Sequence, residues 1–301
     1  TPLITCADCE GSDQMFKITT LNFDDLPKTE DGKVDFQSLS NLIEHQVAGG
    51  TDYLVILGTT SEVPTLTHQE QNAIIEYVVK QVAGRMPLVL GIGGNSTTAV
   101  IEKIEGWKDL LAEHFAAILS VTPYYNRPQQ EGLYLHFCEI AKASPVPVIL
   151  YNVPKRTGVN MLPETTRRIY DAYPKKIMGI KEACGNIEQF TQTVAIANGD
   201  FAVISGDDDL ACEMVKIGGA GLISVAGNAW PAEMKQIVQD KDAIMQAKMG
   251  HRIHLLFVEG NPSGIKTVLS EMGMIENVLR LPMVPCTENT QMVIRRALAQ
   301  G

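Results

Sequence analysis

The chain has 301 residues, of which 45% are hydrophobic, so it can bury a core of the size expected for a globular protein. Its formal net charge of −10 argues against nucleic acid and anionic membranes as partners. No uncharged apolar run is long enough to cross a membrane, and the first residues lack the basic start and apolar core of a signal peptide. We therefore expect a cytoplasmic protein.

The spacing of cysteine and histidine does not predict a metal site. Cys6 and Cys9 form a Cys-x-x-Cys pair, but no second pair follows at the spacing of zinc ligands. His251 and His254 lie one helical turn apart without an evident third ligand, so a solvated helix face is the better interpretation. We expect the cysteines to be free thiols.

The N-terminal 35 residues contain no clear strand, although residues 2–5 and 16–23 are both candidates. Asp35 can cap a helix that runs to about residue 48. Beyond this helix, apolar runs typical of buried strands alternate with segments of helical period. The seven runs cover residues 53–57, 88–92, 116–121, 147–151, 177–181, 201–204 and 221–225.

Helix signals stand between these runs. Thr67 and Glu70 form a capping box, and Pro163 fits the first turn of a later helix. Alternating strands and helices indicate parallel strands joined by right-handed crossovers. With one more strand near the N-terminus, the pattern predicts an α/β fold: a (β/α)8 TIM barrel in residues 1–235, followed by a C-terminal helical region in 236–301.

A doubly wound open sheet is the competing architecture. It is disfavoured because no Gly-x-Gly-x-x-Gly follows the first clear strand. The turn at Gly91, Gly93 and Gly94 lacks the third glycine and the downstream acidic residue of that motif.

Lys181 stands at the end of the apolar run 177–180. Lysine is rarely fully buried unless it is paired, and burial lowers its pKa and makes the amine a nucleophile. Such an amine can form a Schiff base with a carbonyl substrate. Taken alone, the pattern also fits a lysine that extends to solvent from a strand end.

Other reactive side chains follow the remaining strands. The active site of such a barrel lies at the C-terminal ends of its strands. Tyr151 and Tyr125 can carry protons, the Thr59 hydroxyl can bridge them, and Arg156 can hold a carboxylate with a bidentate fork. Each has an ordinary structural alternative, but their convergence at one end of a barrel favours a catalytic site.

The motifs at the strand ends resemble those of the dihydrodipicolinate synthases, which belong to the pyruvate-dependent class I aldolases together with N-acetylneuraminate lyase. The order and spacing of the motifs match the family over about residues 34–230. The matching segments are Gly-Thr-Thr-Ser-Glu (58–62), Pro-Tyr-Tyr-Asn-Arg-Pro (123–128), Tyr-Asn-Val-Pro-Lys-Arg-Thr-Gly (151–158), Gly-Ile-Lys-Glu-Ala (179–183) and Ser-Gly-Asp-Asp (205–208).

The resemblance implies a role for each catalytic residue. Lys181 would form the Schiff base with pyruvate, and Tyr151 would act as the acid/base beside it. Thr59 and Tyr125 would complete a proton relay, with Tyr125 reaching into the site of a neighbouring subunit. At least a dimer, and commonly a tetramer, is therefore implied.

The resemblance also implies the substrates. Thr60 and the Ile223 carbonyl would contact the pyruvyl group, and Arg156 would bind the carboxylate of L-aspartate 4-semialdehyde, with Gly206 and Asp207 also in the substrate site. The enamine would attack the aldehyde, and ring closure would give 4-hydroxy-tetrahydrodipicolinate for diaminopimelate and lysine biosynthesis. No metal or organic cofactor would be needed beyond the covalent Schiff base.

Three features depart from the family pattern. Ser61 stands where the family usually has glycine, which would strain the loop if a positive φ is needed there. Cys184 replaces the usual Thr or Ser. The regulatory lysine site of some members keeps three of its six residues here, and we expect weak or absent inhibition by lysine. Its positions hold Pro64, His68, Gln71, Asn95, Ala99 and Tyr124.

Two other functions remain open. A sialic acid lyase or keto-sugar-acid aldolase shares the lysine and tyrosine, but usually has Ser as the second residue of the Gly-Thr-Thr motif. Thr59, Arg156 and Asp207 favour the synthase. A catalytically inactive barrel that binds a metabolite would be marked by loss of the lysine or the tyrosines, and both are present.

Overall fold

The computed structural model describes the backbone of residues 18–23 and all of residues 26–58, 61–197 and 200–299. Parallel strands follow one another around a closed barrel, and the last strand pairs with the first. The strands are β1 (Ile18–Phe23), β2 (Tyr53–Ile56), β3 (Leu88–Gly91), β4 (Ala117–Val121), β5 (Val148–Asn152), β6 (Ile177–Glu182), β7 (Ala202–Ser205) and β8 (Gly221–Ser224).

The predicted α/β class is confirmed, and β2 to β8 fall on the seven apolar runs. The first strand lies within the candidate segment 16–23, whereas the other candidate, 2–5, lies outside the described residues. Strands of a parallel barrel are buried on both faces, which is why they read as continuous apolar runs. One set of side chains fills the barrel interior and the other packs against the helices.

Helices follow the strands and cover the outside of the barrel. Asp35 caps the first helix, Thr67 and Glu70 form the predicted capping box, and Pro163 begins a helix as expected. The helices are α1 (Phe36–Ala48), α2 (His68–Val82), α3 (Thr97–Gly106), α4 (Lys108–His114), α5 (Gln130–Ala143), α6 (Pro154–Thr157), α7 (Pro163–Ala172), α8 (Ile187–Ile196), α9 (Ala211–Ile217), α10 (Pro231–Gln239), α11 (Ala243–Leu255), α12 (Ser263–Glu271) and α13 (Glu288–Ala299).

The boundary that we predicted after residue 235 falls inside α10. Every residue from Ser263 to Leu269 in α12 is buried, so this helix is part of the packed structure. None of the described helices is both long and apolar enough to cross a membrane.

A buried ion cluster ties α12 to the loop after β2. The side chain of Glu62 is 1% exposed, and its Oε1 accepts hydrogen bonds from the ammonium groups of Lys28 and Lys266. Its Oε2 accepts from the backbone N–H of Arg280 at 2.7 Å. Lys266 also donates to the Leu26 and Val278 carbonyls. Residues distant in sequence are thus fixed on one carboxylate.

The cluster holds two buried lysines for one buried carboxylate. Burial and the neighbouring Lys266 ammonium lower the pKa of Lys28 to about 8, because both disfavour its charged form. The pKa of Lys28 is lower in the folded than in the unfolded chain. The folded state therefore binds fewer protons above about pH 8, and stability should rise with pH until the unfolded lysine also titrates.

We expect opposite effects from removing the anion and the surplus cation. Glu62→Gln leaves two buried ammonium groups without a counter-charge and should lower the free energy of unfolding by about 3–5 kcal/mol. Lys28→Met leaves the Glu62–Lys266 pair intact, and should be neutral or stabilising near neutral pH. Its advantage over the unmodified chain should shrink toward about pH 10. Urea unfolding at several pH values measures both effects. A loss in Lys28→Met as large as that in Glu62→Gln would show that Lys28 is not surplus.

Candidate active site

The register of β5 and β6 places Tyr151 opposite Lys181. Both residues are about 5% exposed, and they stand at the C-terminal ends of their strands. The Lys181 Nζ lies 4.3 Å from the centroid of the Tyr151 ring, a distance at which the ring face attracts a cation. The two residues with the strongest predicted roles are therefore brought together.

Gly206 makes room for the lysine side chain. It follows β7, and its N–H donates to the Glu182 carbonyl at 2.8 Å. A Cβ on this residue would lie 3.0 Å from the Lys181 Cε and 2.6 Å from the Ala183 Cβ, closer than side chains pack without displacement. Glycine at this position lets the Lys181 chain lie directly against backbone.

A half-buried carboxyl group, that of Asp207, and a buried one, that of Asp208, follow Gly206. Asp207 accepts a hydrogen bond from the Gly185 N–H at 3.2 Å, and burial and then the neighbouring Asp209 raise its pKa. Burial raises the pKa of Asp208 to about 6, although its Oδ2 accepts from the Val225 and Ala226 N–H groups. Nearby carboxylates stabilise positive charge, and both of these residues line the same cavity as Lys181.

A cavity of about 530 Å³ opens over these groups, and its size suits a small organic acid. Arg156 stands at its wall, and its Nη2 donates to the Asn261 carbonyl at 3.1 Å. The residues that line the cavity include Tyr151, Lys155, Arg156, Lys181, Gly206, Asp207, Asp208, His254, Phe257 and Asn261.

Other predicted site residues lie elsewhere or outside the described residues. Tyr125 follows β4, is 88% exposed, and is not among the residues that line the cavity. The Ile223 side chain is buried in the barrel interior. Thr59 and Thr60 lie outside the described residues.

The loop after β2 does not need glycine at Ser61. Among the described residues of this loop, Leu57 and Glu62 have positive φ, at 52° and 54°. Ser61 is not among the described residues with positive φ, and its N–H donates to the Gly58 carbonyl at 3.2 Å. The strain that we considered for this position is therefore absent.

The sequence did not reveal every residue at the cavity. His254 and Phe257 come from α11 and the turn after it, and Asn261 precedes α12. No sequence pattern relates these residues to the strand ends, because only tertiary packing brings them together. Asp208 did carry a signal, since it belongs to the Ser-Gly-Asp-Asp segment, but only Gly206 and Asp207 were assigned from it.

Within the described ranges, no three His, Cys, Asp or Glu side chains are grouped as a metal site would require. Cys6 and Cys9 lie outside the described residues. Cys138, Cys184, Cys212 and Cys286 are free thiols. The absence of a metal or organic cofactor from the reaction remains a prediction.

Comparison with known proteins finds similar proteins that match most of the chain. The model of the dihydrodipicolinate synthetase family matches residues 22–301. A protein of Parabacteroides distasonis named 4-hydroxy-tetrahydrodipicolinate synthase is 47% identical over 281 residues, covering 91% of this chain and 93% of the relative. One of the same name from Azobacteroides pseudotrichonymphae is 46% identical over 278 residues, covering 89% and 92%.

A similar solved structure is the chloride-inhibited dihydrodipicolinate synthase of Acinetobacter baumannii, complexed with pyruvate. It is 38% identical to this chain and superposes with a TM-score of 0.88. The match covers 93% of this chain and 97% of that chain.

We expect Gly206→Ala to slow the reaction of the Lys181 amine. The added methyl group would press on the Lys181 Cε and on the less movable Ala183 Cβ, so the amine should be displaced. The rate of reducible Schiff-base formation with a small keto acid should fall by about tenfold to a hundredfold. Gly106→Ala is the control, since a Cβ there meets nothing within 4 Å. Equal rates in both variants would contradict the prediction.

Proposed function

The chain belongs to the dihydrodipicolinate synthetase family, and we propose that it condenses pyruvate with L-aspartate 4-semialdehyde to give 4-hydroxy-tetrahydrodipicolinate. This is a lyase reaction of diaminopimelate and lysine biosynthesis. The observation that carries the proposal is the buried Lys181 amine, 4.3 Å from the Tyr151 ring at the end of the barrel. Relatives named for this activity align with about nine-tenths of the chain.

The first half of the reaction takes place on Lys181. Its neutral amine attacks the ketone of pyruvate, and the ketone oxygen leaves as water after accepting protons. The protonated imine withdraws electrons, so the pyruvate methyl group loses a proton and an enamine forms. Tyr151, whose ring centroid lies 4.3 Å from the Lys181 Nζ, transfers these protons, and the nearby Asp207 and Asp208 carboxyl groups favour the positive charge on the imine.

The second half joins the two substrates. Arg156 binds the carboxylate of the semialdehyde, and the half-buried Asp207 at the same cavity is suited to its ammonium group. The enamine carbon attacks the aldehyde and forms the new carbon–carbon bond. The substrate amine then attacks the imine carbon, closes the ring and releases the Lys181 amine.

The remaining roles follow from the family resemblance. Thr59 and Tyr125 complete the proton relay, and Thr60 and the Ile223 carbonyl bind the pyruvyl group. Tyr125 is 88% exposed, and this supports a role in the site of a second subunit within a dimer or tetramer. No cofactor is required beyond the Schiff base.

Two further parts of the proposal concern the whole chain. We retain the division into a barrel, residues 1–235, and a C-terminal helical region, 236–301, although its boundary falls inside α10. This division describes the order of elements along the chain and does not separate two independent units, because His254, Phe257 and Asn261 of the second part line the cavity of the first. The cytoplasmic location remains a prediction from composition.

Borohydride trapping tests the Schiff base. Incubation with pyruvate and reduction should add a pyruvyl group to Lys181, because this amine is held in the cavity, and peptide mass spectrometry should locate it there. Lys181→Ala should remove the adduct, and Lys155→Ala, which removes another cavity lysine, should not. An unmodified Lys181 would refute the proposal.

Comparing acceptor substrates then separates the synthase from a sialic acid lyase. L-aspartate 4-semialdehyde should be consumed with pyruvate, and N-acetylmannosamine should not. The reverse preference would favour the lyase, and trapping without turnover of either would reopen the metabolite-binding alternative.

We also expect weak inhibition by lysine. A second cavity, of about 360 Å³, is lined by residues that include Pro64, Gln71, Tyr124 and Lys103. Its described lining residues include no carboxylate, and the charged one is Lys103, so the ammonium of a bound lysine would be repelled. Millimolar lysine should therefore leave most of the steady-state activity. Ala99→Glu should increase inhibition more than the uncharged control Ala99→Gln, and strong inhibition of the unmodified chain would contradict this expectation.

A further inference from the structure

A buried polar pair lies directly behind the reactive residues. Successive side chains of a strand point to opposite faces of the sheet. The register that pairs Tyr151 with Lys181 therefore also pairs Asn152 with Glu182 on the opposite face. Asn152 is 0% exposed and Glu182 is 1% exposed. Asn152 directly follows Tyr151 in the chain, and Glu182 directly follows Lys181.

The Glu182 carboxylate is held by neutral donors. Its Oε1 accepts from the Asn152 Nδ2 and from the Cys184 N–H, both at 3.0 Å, and its Oε2 accepts from the Gln189 Nε2 at 3.1 Å. Among the described residues no lysine, arginine or histidine forms an ion pair with it. Burial raises its pKa, and these donors oppose the shift. A buried carboxylate without a cation is costly, so packing alone does not explain it.

The orientation of both amides is fixed by further hydrogen bonds. The Asn152 Oδ1 accepts from the Met161 N–H at 2.9 Å, which leaves its Nδ2 to face Glu182. The Gln189 Oε1 accepts from the Asn160 Nδ2 at 2.7 Å, which turns its Nε2 toward Glu182 in the same way. The donors around the carboxylate therefore cannot rotate without breaking other bonds.

The pairing of β5 and β6 is irregular just before this point. Val148 pairs with Ile177 but Ile149 pairs with Gly179, so β6 contains one extra residue near the start of the pair. An extra residue of this kind is left unpaired and locally interrupts the ladder. The Asn152–Glu182 contact lies on the far side of the irregularity, where Tyr151 must meet Lys181.

We propose that Glu182 is a positioning residue that, through Asn152 and Gln189, fixes the register of β5 against β6 and so holds the Tyr151 ring beside the Lys181 amine. The proposal rests on the proposed function for the identity of the reaction. The geometry that it explains is that of Lys181 and Tyr151. The first half-reaction, with pyruvate alone, already depends on this geometry. A displacement of about 1 Å at a reacting group can slow a reaction by about a hundredfold.

Exchanging the two groups provides the test. Glu182→Gln places an amide against the Asn152 amide, and Asn152→Asp places a second carboxylate against Glu182, so each single variant mismatches the pair. The double variant restores one donor facing one acceptor. Each single variant should trap pyruvate on Lys181 about a hundredfold more slowly than the unmodified chain, with KM for pyruvate changed by less than about threefold. The double variant should recover at least about tenfold.

Controls separate positioning from stability. Glu188→Gln changes an exposed acid in the first turn of α8 and should trap at the unmodified rate. Gln189→Met removes only one of the donors to Glu182 and should slow trapping by about tenfold. If the single variants at Glu182 and Asn152 do not fold, this variant tests the positioning role instead. Thermal unfolding is followed for all variants.

Each outcome has one interpretation. If pyruvate is not trapped on the unmodified chain, the proposed function fails. Lost positioning is then not the cause of the failure, because Glu182 is intact in that chain. If it is trapped but folded single variants, or Gln189→Met, react at the same rate, Glu182 has only a structural role and the inference is overturned. A folded double variant as slow as the single variants would likewise overturn it, because the effect would not depend on complementarity of the pair.

Discussion

The parallel register between β5 and β6 is the constraint on which the site depends. Because side chains alternate between the two faces of a strand, a slip of one residue would exchange the inward and outward sets. Asn152 would then enter the cavity in place of Tyr151, and the amine of Lys181 would lose the phenol that faces it. The chemistry therefore requires one register out of several that the apolar runs alone would permit.

Buried charge is handled in three different ways around this barrel end. Glu62 is neutralised by two lysines and connects the loop after β2 to α12. Glu182 is held by neutral amides and a backbone N–H. Asp208 keeps one oxygen without a hydrogen-bond partner among the described residues. The first arrangement joins distant segments, the second fixes the direction of the side chains, and the third belongs to a residue that lines the same cavity as Lys181.

The features that the sequence predicted are those encoded locally. Each strand appeared as a short apolar run, and Lys181, Tyr151 and Arg156 stood next to such runs, so a barrel topology was enough to bring them together. Glu62 and Lys266 are 204 residues apart, and no periodic pattern relates them. Asn261 reaches the cavity for the same kind of reason. The role of Glu182 depends on a register, which a single sequence does not specify.

Tyr125 differs from the other described catalytic residues of the proposal because it is exposed. One chain already brings two amines, a phenol, a guanidinium group and three carboxyl groups to its cavity, which are the groups that the proposed function uses to bind a keto acid and stabilise an imine. Tyr125 has a φ of 73° and is 88% exposed, and it is not among the residues that line that cavity. Under the proposed function, a proton relay that uses this phenol is completed between subunits. Assembly would then control proton transfer, while the fold of one chain controls the Lys181–Tyr151 geometry.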